Sequence, residues 1–178
     1  MPDVWFISDH HLSHAKLLTF EDKHGCLIRP EYDDVVEMNE AILTFHNETI
    51  KDTDTVYFLG DVLWDAKVGD PWGTLAKMKG HKRLTPGNHD KVLPLVPFFE
   101  DIKLWYRFEA DNRKFIASHV PLAYGDTKRM DVNIHGHLHE KYVKHPNGLE
   151  DLRYYNVCVE QMGYTPIHFE DIVKLTGH

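Results

Sequence analysis

The chain has 178 residues, a formal net charge of −8 and two cysteines. This length suits one domain, residues 1–178, that buries roughly two-thirds of the surface its unfolded form exposes. The negative far field argues against nonspecific wrapping of long nucleic acid. Cys26 and Cys158 exclude a disulfide framework or a four-thiolate zinc site, and no uncharged run reaches membrane-spanning length.

The first strand-like run, Val4 to Ile7, begins almost at residue 1 and leaves no room for a signal peptide. With so few thiols, a cytoplasmic address is expected. The run ends in Ser8-Asp9-His10-His11. The best helix follows from Glu31 to His46, with Val35, Met38, Ile42 and Phe45 on one apolar face and Pro30 where a first turn tolerates it. Thr55 to Leu59 reads as a strand that ends in Gly60-Asp61. A short helix is predicted from Asp70 as N-cap, through Pro71, to Gly80. The strand-like Arg83 to Thr85 passes through Pro86-Gly87 into Asn88-His89-Asp90, and the proline-punctuated 93–97 segment reads as a broken helix or loop. Leu104 to Phe108, Phe115 to Ala117, Val132 to Ile134, Tyr154 to Val159 and Ile167 to Phe169 bring the strands to at least seven. Ser118-His119 closes one of these runs and Gly136-His137-Leu138-His139 follows another. Strands and helices interleave early and strands dominate later, which implies two packed sheets with helices outside.

Five polar clusters thus sit after strand-like runs, the edge where open α/β sheets hold ligands. Asp9 and His11 are two apart, as are His137 and His139, and extended backbone at that spacing would point each pair to one side. Glycines at 60, 87 and 136 precede ligand-type residues and permit close backbone approach. Two carboxylates, a carboxamide and several imidazoles suffice for two divalent cations with one shared ligand, the usual device for displacement at phosphorus. The net charge of such a site would be about +2, or about +1 with a bridging hydroxide, and would attract a phosphate ester.

The ordered series D-x-H, G-D, G-N-H-D, H, G-H-x-H resembles the calcineurin-like metallophosphoesterase family over positions 9 to 139. The resemblance implies a four-layer α-β-β-α sandwich of two mixed sheets flanked by helices. In the family's pattern Asp9, His11, Asp61 and His139 hold one metal, and Asp61, Asn88, His119 and His137 hold the other. His89 would act as general acid or donor to the leaving oxygen, with Asp90 fixing its orientation. A metal-bridging hydroxide would attack phosphorus in line. Manganese is the expected metal, with iron, cobalt, nickel or zinc as alternatives. The metallo-β-lactamase and amidohydrolase patterns fit worse, since Glu140-Lys141-Tyr142 follows His139 and Asp9-His10-His11 stands where the latter place H-x-H.

The stretch from Ser8 to His14, Arg29-Pro30 and Met38-Asn39-Glu40 resembles small single-domain bacterial and phage-type members. Arg29 is expected to grip phosphate oxygens or to be a surface arginine. His14 lines the substrate pocket or sits on a solvated helix face. Trp64 and Tyr124 stack on a base or leaving group, or pack at the rim. His10 points away from the ligands, His135 is packed, and His24, His46, His81, His145, His168 and His178 lie on the surface. The favoured function is hydrolysis of a small or exposed phosphate ester, a phosphodiester by preference, in an open cleft without a cap domain. The rivals are a nuclease or cyclic-nucleotide phosphodiesterase with the same site, and a non-catalytic protein-binding scaffold. Retention of His89 and all seven ligands counts against the scaffold. The partner is then a small phosphate ester or nucleotide, with nucleic acid less favoured and no membrane; the sequence leaves the oligomeric state open.

Overall fold

The computed structural model describes residues 3–64, 68–123, 125 and 129–177. Tyr124 and His178 lie outside them. The elements run β1 (Val4–Ile7), α1 (Val35–Thr49), β2 (Thr55–Phe58), α2 (Pro71–Lys77), β3 (His81–Leu84), α3 (Val92–Leu95), β4 (Asp101–Ile102), β5 (Tyr106–Ala110), β6 (Arg113–Ser118), β7 (Val132–His135), β8 (Tyr154–Asn156), β9 (Ile167–His168) and α4 (Phe169–Leu175). They form two mixed sheets. One has the order β4-β3-β2-β1-β9, parallel except for β9, and the other the order β5-β6-β7-β8, parallel except for β5. Among the described residues no helix is long and apolar enough to cross a membrane.

Alternation along the central strands splits the interior in two. Ile7, Val56 and Phe58 face a core closed by Val35, Met38 and Ile42 of α1 and Leu75 of α2. Phe6, Tyr57 and Leu59 face the space between the sheets, where they meet Phe115, Ala117, Ile134 and the α4 residues Ile172 and Val173. Beyond β1 and β8 the backbone joins the two sheets. Ser8 N–H donates to Val157 O and Val159 N–H to Ser8 O, a parallel bridge between Ser8 and Cys158. That bridge brings the C-terminal ends of β1, β2, β3, β6 and β7 to one edge.

The main helix starts later than Pro30 suggests. Its N-cap is Asp34, whose carboxylate accepts from Val36 N–H (2.7 Å) and Glu37 N–H (2.9 Å). Its buried stripe is Val35, Met38, Asn39, Ile42 and His46, while Phe45 is exposed. His46 is therefore not a surface group, and its Nε2–H donates to Lys79 O (3.0 Å). Asn39 fastens α1 to the first polar cluster, accepting from Ser13 N–H and donating to Ser13 Oγ, both at 3.0 Å. Asp70 caps α2 through Gly73 N–H as expected, but the helix ends at Lys77 and Gly80, at φ +89°, forms the turn into β3. The 93–97 segment is a broken helix, one α-helical turn followed by a 3-10 turn.

Asp34→Ala should lower unfolding free energy by about 1 kcal/mol through loss of the cap. Ile42→Ala, at a fully buried site, should cost about 2–5 kcal/mol. Urea denaturation followed by circular dichroism measures both.

Candidate metal centre

The five clusters converge. Asp9 follows β1, Asp61 follows β2, Asn88 and His89 follow β3, His119 follows β6, and His137 and His139 follow β7. Asp61 Oδ2 lies 3.7 Å from His11 Nε2, 3.6 Å from His119 Nε2 and 4.0 Å from His89 Nε2. Asp9 Oδ1 lies 3.8 Å from His11 Nε2 and 3.9 Å from His139 Nε2. His119 Nε2 is 3.0 Å from Asn88 Oδ1, and the His119 and His137 rings are 5.1 Å apart. Two triads, Asp9-His11-His139 and Asp9-Asp61-His119, have ligand-type atoms close enough to share a cation. Atoms that each sit about 2.1 Å from one ion are themselves roughly 3 to 4 Å apart.

Each carboxylate has one oxygen fastened and one left over. Asp9 Oδ2 accepts from Ser8 Oγ–H (2.5 Å), His137 N–H (2.8 Å) and Cys158 Sγ–H (3.2 Å). Asp61 Oδ1 accepts from His89 N–H (2.9 Å). The imidazoles are treated alike: His119 Nδ1–H donates to Leu59 O (2.7 Å) and His139 Nδ1–H to Glu160 Oε1 (3.0 Å), which leaves both Nε2 lone pairs facing inward. Asp9 Oδ1 and both ring nitrogens of His11 are buried without a hydrogen-bond partner among the described residues. Buried polar atoms rarely go unpaired, and a cation held by oxygen and nitrogen donors satisfies Asp9 Oδ1 and the Nε2 of His11. Burial raises the Asp9 carboxyl above its usual range and holds the His11 imidazole far below its own, so His11 is neutral and ligand-competent at neutral pH.

Backbone geometry differs from the extended form expected. Five of the seven expected ligands have left-handed φ: Asp9 (60°), His11 (48°), Asp61 (50°), His137 (71°) and His139 (50°). The pairs two apart converge because left-handed residues flank a single intervening one, not because a strand alternates. His10, the residue between the first pair, is fully buried and stacks on Phe58 at 5.0 Å. Main-chain bonds hold the strained loops side by side, from Asp9, His11 and Leu12 N–H to Gly60, Asp61 and Val62 O. Gly60 has φ +90°, and a Cβ there would lie 2.5 Å from Gly87 N and 2.6 Å from His119 Nδ1. At Gly136 a Cβ would collide with Ser8 Oγ and Asp9 Oδ2.

Three expectations need correction. Arg29 does not reach toward substrate. It is 0% exposed and donates to Glu160 Oε1 from Nε (2.9 Å) and Nη2 (2.7 Å), to Asp9 O (2.6 Å) and to His10 O (2.8 Å). Its guanidinium braces the Asp9–His11 loop from behind. Asp90 does not touch the His89 ring; its carboxylate accepts from the N–H groups of Asp61 (2.9 Å), Val62 (2.9 Å) and Gly87 (2.8 Å), clamping two loops together. His14 is on no solvated helix face; it is buried and stacks on Trp64 at 4.0 Å and 6°. Trp64 in turn packs on the His89 ring at 4.5 Å.

Glu160 escaped the sequence reading, although it follows the strand-like 154–159 run as the other polar clusters follow theirs. Burial penalises its charge, but the Arg29 guanidinium and His139 outweigh that and hold the carboxyl at about 2. Burial would likewise lower His139, and the bond and charge of Glu160 reverse the direction, so the imidazole is raised and more basic.

A ring of oxygen and nitrogen donors at the joined strand ends of two mixed sheets defines a metallophosphoesterase-like α/β protein. The chain belongs to the calcineurin-like phosphoesterase family, whose model matches residues 2–174. It is 30% identical over 177 residues to the uncharacterized protein MJ1445 of Methanocaldococcus jannaschii, covering 98% of this chain and 92% of that protein. The Gene 66 protein of Mycobacterium phage L5 is 32% identical over 97 residues, 53% of this chain and 43% of the phage protein. Among solved structures, a protein of unknown function, AQ665 from Aquifex aeolicus, superposes with a TM-score of 0.74 at 25% identity, covering 98% of this chain and 100% of that one.

Glu160→Gln keeps the side chain's size but removes the charge that faces His139 and Arg29. It should weaken divalent-metal binding by about 10- to 100-fold. Competition with a chelating dye measures this, and unchanged affinity would refute the bracing role.

Proposed function

We propose that the chain is a metal-dependent phosphoric ester hydrolase, one catalytic domain without a cap, acting on a small or exposed phosphodiester. The observation that carries this reading is Asp61 Oδ2, nearly equidistant from His11 Nε2 (3.7 Å) and His119 Nε2 (3.6 Å). On this reading Asp9, His11, Asp61 and His139 hold one divalent cation, and Asp61, Asn88, His119 and His137 hold a second. Asp9 also lies between the two donor groups. Manganese is the first candidate, and a cytoplasmic location accords with the two free cysteines. Bound there, the cations would supply Lewis acidity toward phosphoryl oxygens and lower the pKa of water.

The chain's own residues divide the remaining work. Asp61 fixes His89 through its main-chain N–H. The His89 side chain is 40% exposed, and its ring makes no hydrogen bond to a described residue. Its nitrogens are thus free to protonate the leaving oxygen or to donate a hydrogen bond to developing charge. Packing on Trp64, itself backed by His14, keeps the ring over the site. Arg29 and Glu160 keep the Asp9 loop and His139 in place.

The test pairs metal analysis with hydrolysis of a chromogenic diester. Asp61→Asn should lose both metals and with them activity. His89→Ala should keep its metal content and lose about 10²- to 10⁴-fold in kcat. Equal metal loss in the two variants would contradict the separate roles, and a metal-loaded protein that cleaves no ester would overturn the reading.

A further inference from the structure

A cleft of about 740 Å³ opens from His137 and His139, within the range of pockets that hold drug-sized groups. One wall is the 21–28 segment, closed on itself by pairing of Glu21 with Leu27. The other is the chain from Leu138 to Lys144. This space is open to one alcohol group of an ester held at the two histidines.

The lining narrows what that group is. Ile28, Leu138 and the ring of Tyr142 make apolar surface, and Tyr142 is 46% exposed. The lysines Lys23, Lys141 and Lys144 are matched one for one by Glu21, Asp22 and Glu140, so away from the two histidines the lining carries no net formal charge. Asp22 is already engaged, its Oδ1 accepting from the N–H groups of His24 (2.8 Å) and Cys26 (2.9 Å) and so shaping the wall. A second phosphate finds no surplus of positive charge, an acyl chain meets too many charged side chains, and a methyl group leaves the space unfilled. An uncharged flat ring with hydrogen-bonding edges suits both surfaces: Tyr142 offers a stacking face and the lysine and carboxylate tips meet the edges. The Lys144 ammonium lies over one face of the Tyr142 ring, 5.8 Å from its centroid, so a flat group would stack on the opposite face.

We propose that this cleft binds the nucleoside portion of a phosphodiester, with Tyr142 stacking on the base. The proposal rests on the phosphoesterase reading above and names its substrate class. The test compares p-nitrophenyl thymidine 5′-phosphate with methyl p-nitrophenyl phosphate, which share a leaving group and differ in the alcohol that remains. Wild type should favour the nucleoside ester by about tenfold or more in kcat/KM. That preference should fall roughly tenfold in Tyr142→Ala and be retained in Tyr142→Phe, which keeps the ring. A wild-type ratio near one, or a ratio unmoved by Tyr142→Ala in a variant with native circular dichroism, overturns the proposal. If wild type cleaves neither ester, the phosphoesterase reading fails instead. Calorimetric titration with thymidine 5′-monophosphate then decides the cleft: binding weakened about tenfold by Tyr142→Ala supports it, and no binding or equal binding overturns it.

Discussion

Asp9 and Asp61 set two carboxyl groups side by side where water is excluded, and the surroundings of both are organised by that constraint. Burial of a carboxylate costs several kcal/mol unless donors or charges replace water. Asp9 takes three donors on one oxygen, and Asp61 takes one. Behind them Arg29 offsets part of the charge of Glu160 and also donates to the Asp9 carbonyl. With Asp9, Asp61 and Glu160 ionised, one buried guanidinium leaves the cluster formally short of two positive charges. The deficit faces the point where Asp9 Oδ1, Asp61 Oδ2 and the Nε2 atoms of His11, His119 and His139 converge, which is why the arrangement fits divalent cations and no internal hydrogen-bond network.

Backbone strain is a second cost of the same design. A left-handed non-glycine residue costs about 1–2 kcal/mol, and such residues persist only where the surroundings over-determine them. Here the surroundings are the paired 9–12 and 60–63 segments, the three-amide clamp of Asp90, and Asn39 reaching from α1 to Ser13. Aspartate and histidine tolerate this conformation better than branched residues, so the residues suited to coordinate a cation are also ones the loops can accept. A compact pair such as Asp9 and His11 therefore aims two donors inward while sending His10 into the core.

The order of the five clusters along the chain made the site legible, because polar residues placed directly after strand-like apolar runs gather at one sheet edge. The two-sheet architecture followed from helices interleaved early and strands dominating later. What escaped was information carried by distant contacts or by competing local signals. Pro30 and Asp34 both announce a helix start, and only Asp34 has amide partners in place to win. Phe45 looked more core-like than His46, but His46 has Lys79 O to satisfy it and sits on the buried stripe. Arg29 and Glu160 stand 131 residues apart, so neither alone revealed a buried pair. Proximity in sequence suggested that Asp90 holds His89, whereas its oxygens face main-chain amides. The α4 helix went unseen because its first residue, Phe169, continues the apolar run of β9.

The bonding of the imidazoles separates two kinds of histidine in one site. His119 and His139 each spend Nδ1 on an oxygen, which fixes the tautomer and presents Nε2 as a lone pair, the state a cation requires. His89 is fastened through its main chain, and its ring is held by aromatic contact with Trp64. Contact of that kind limits where the ring lies without choosing which nitrogen bears hydrogen. On the proposed reading, a group that delivers a proton to a leaving oxygen needs that freedom, together with access to solvent, and His89 is the most exposed of the three rings. The same stack gives His14 a role beside the site: its flat face supports Trp64, and Trp64 supports His89.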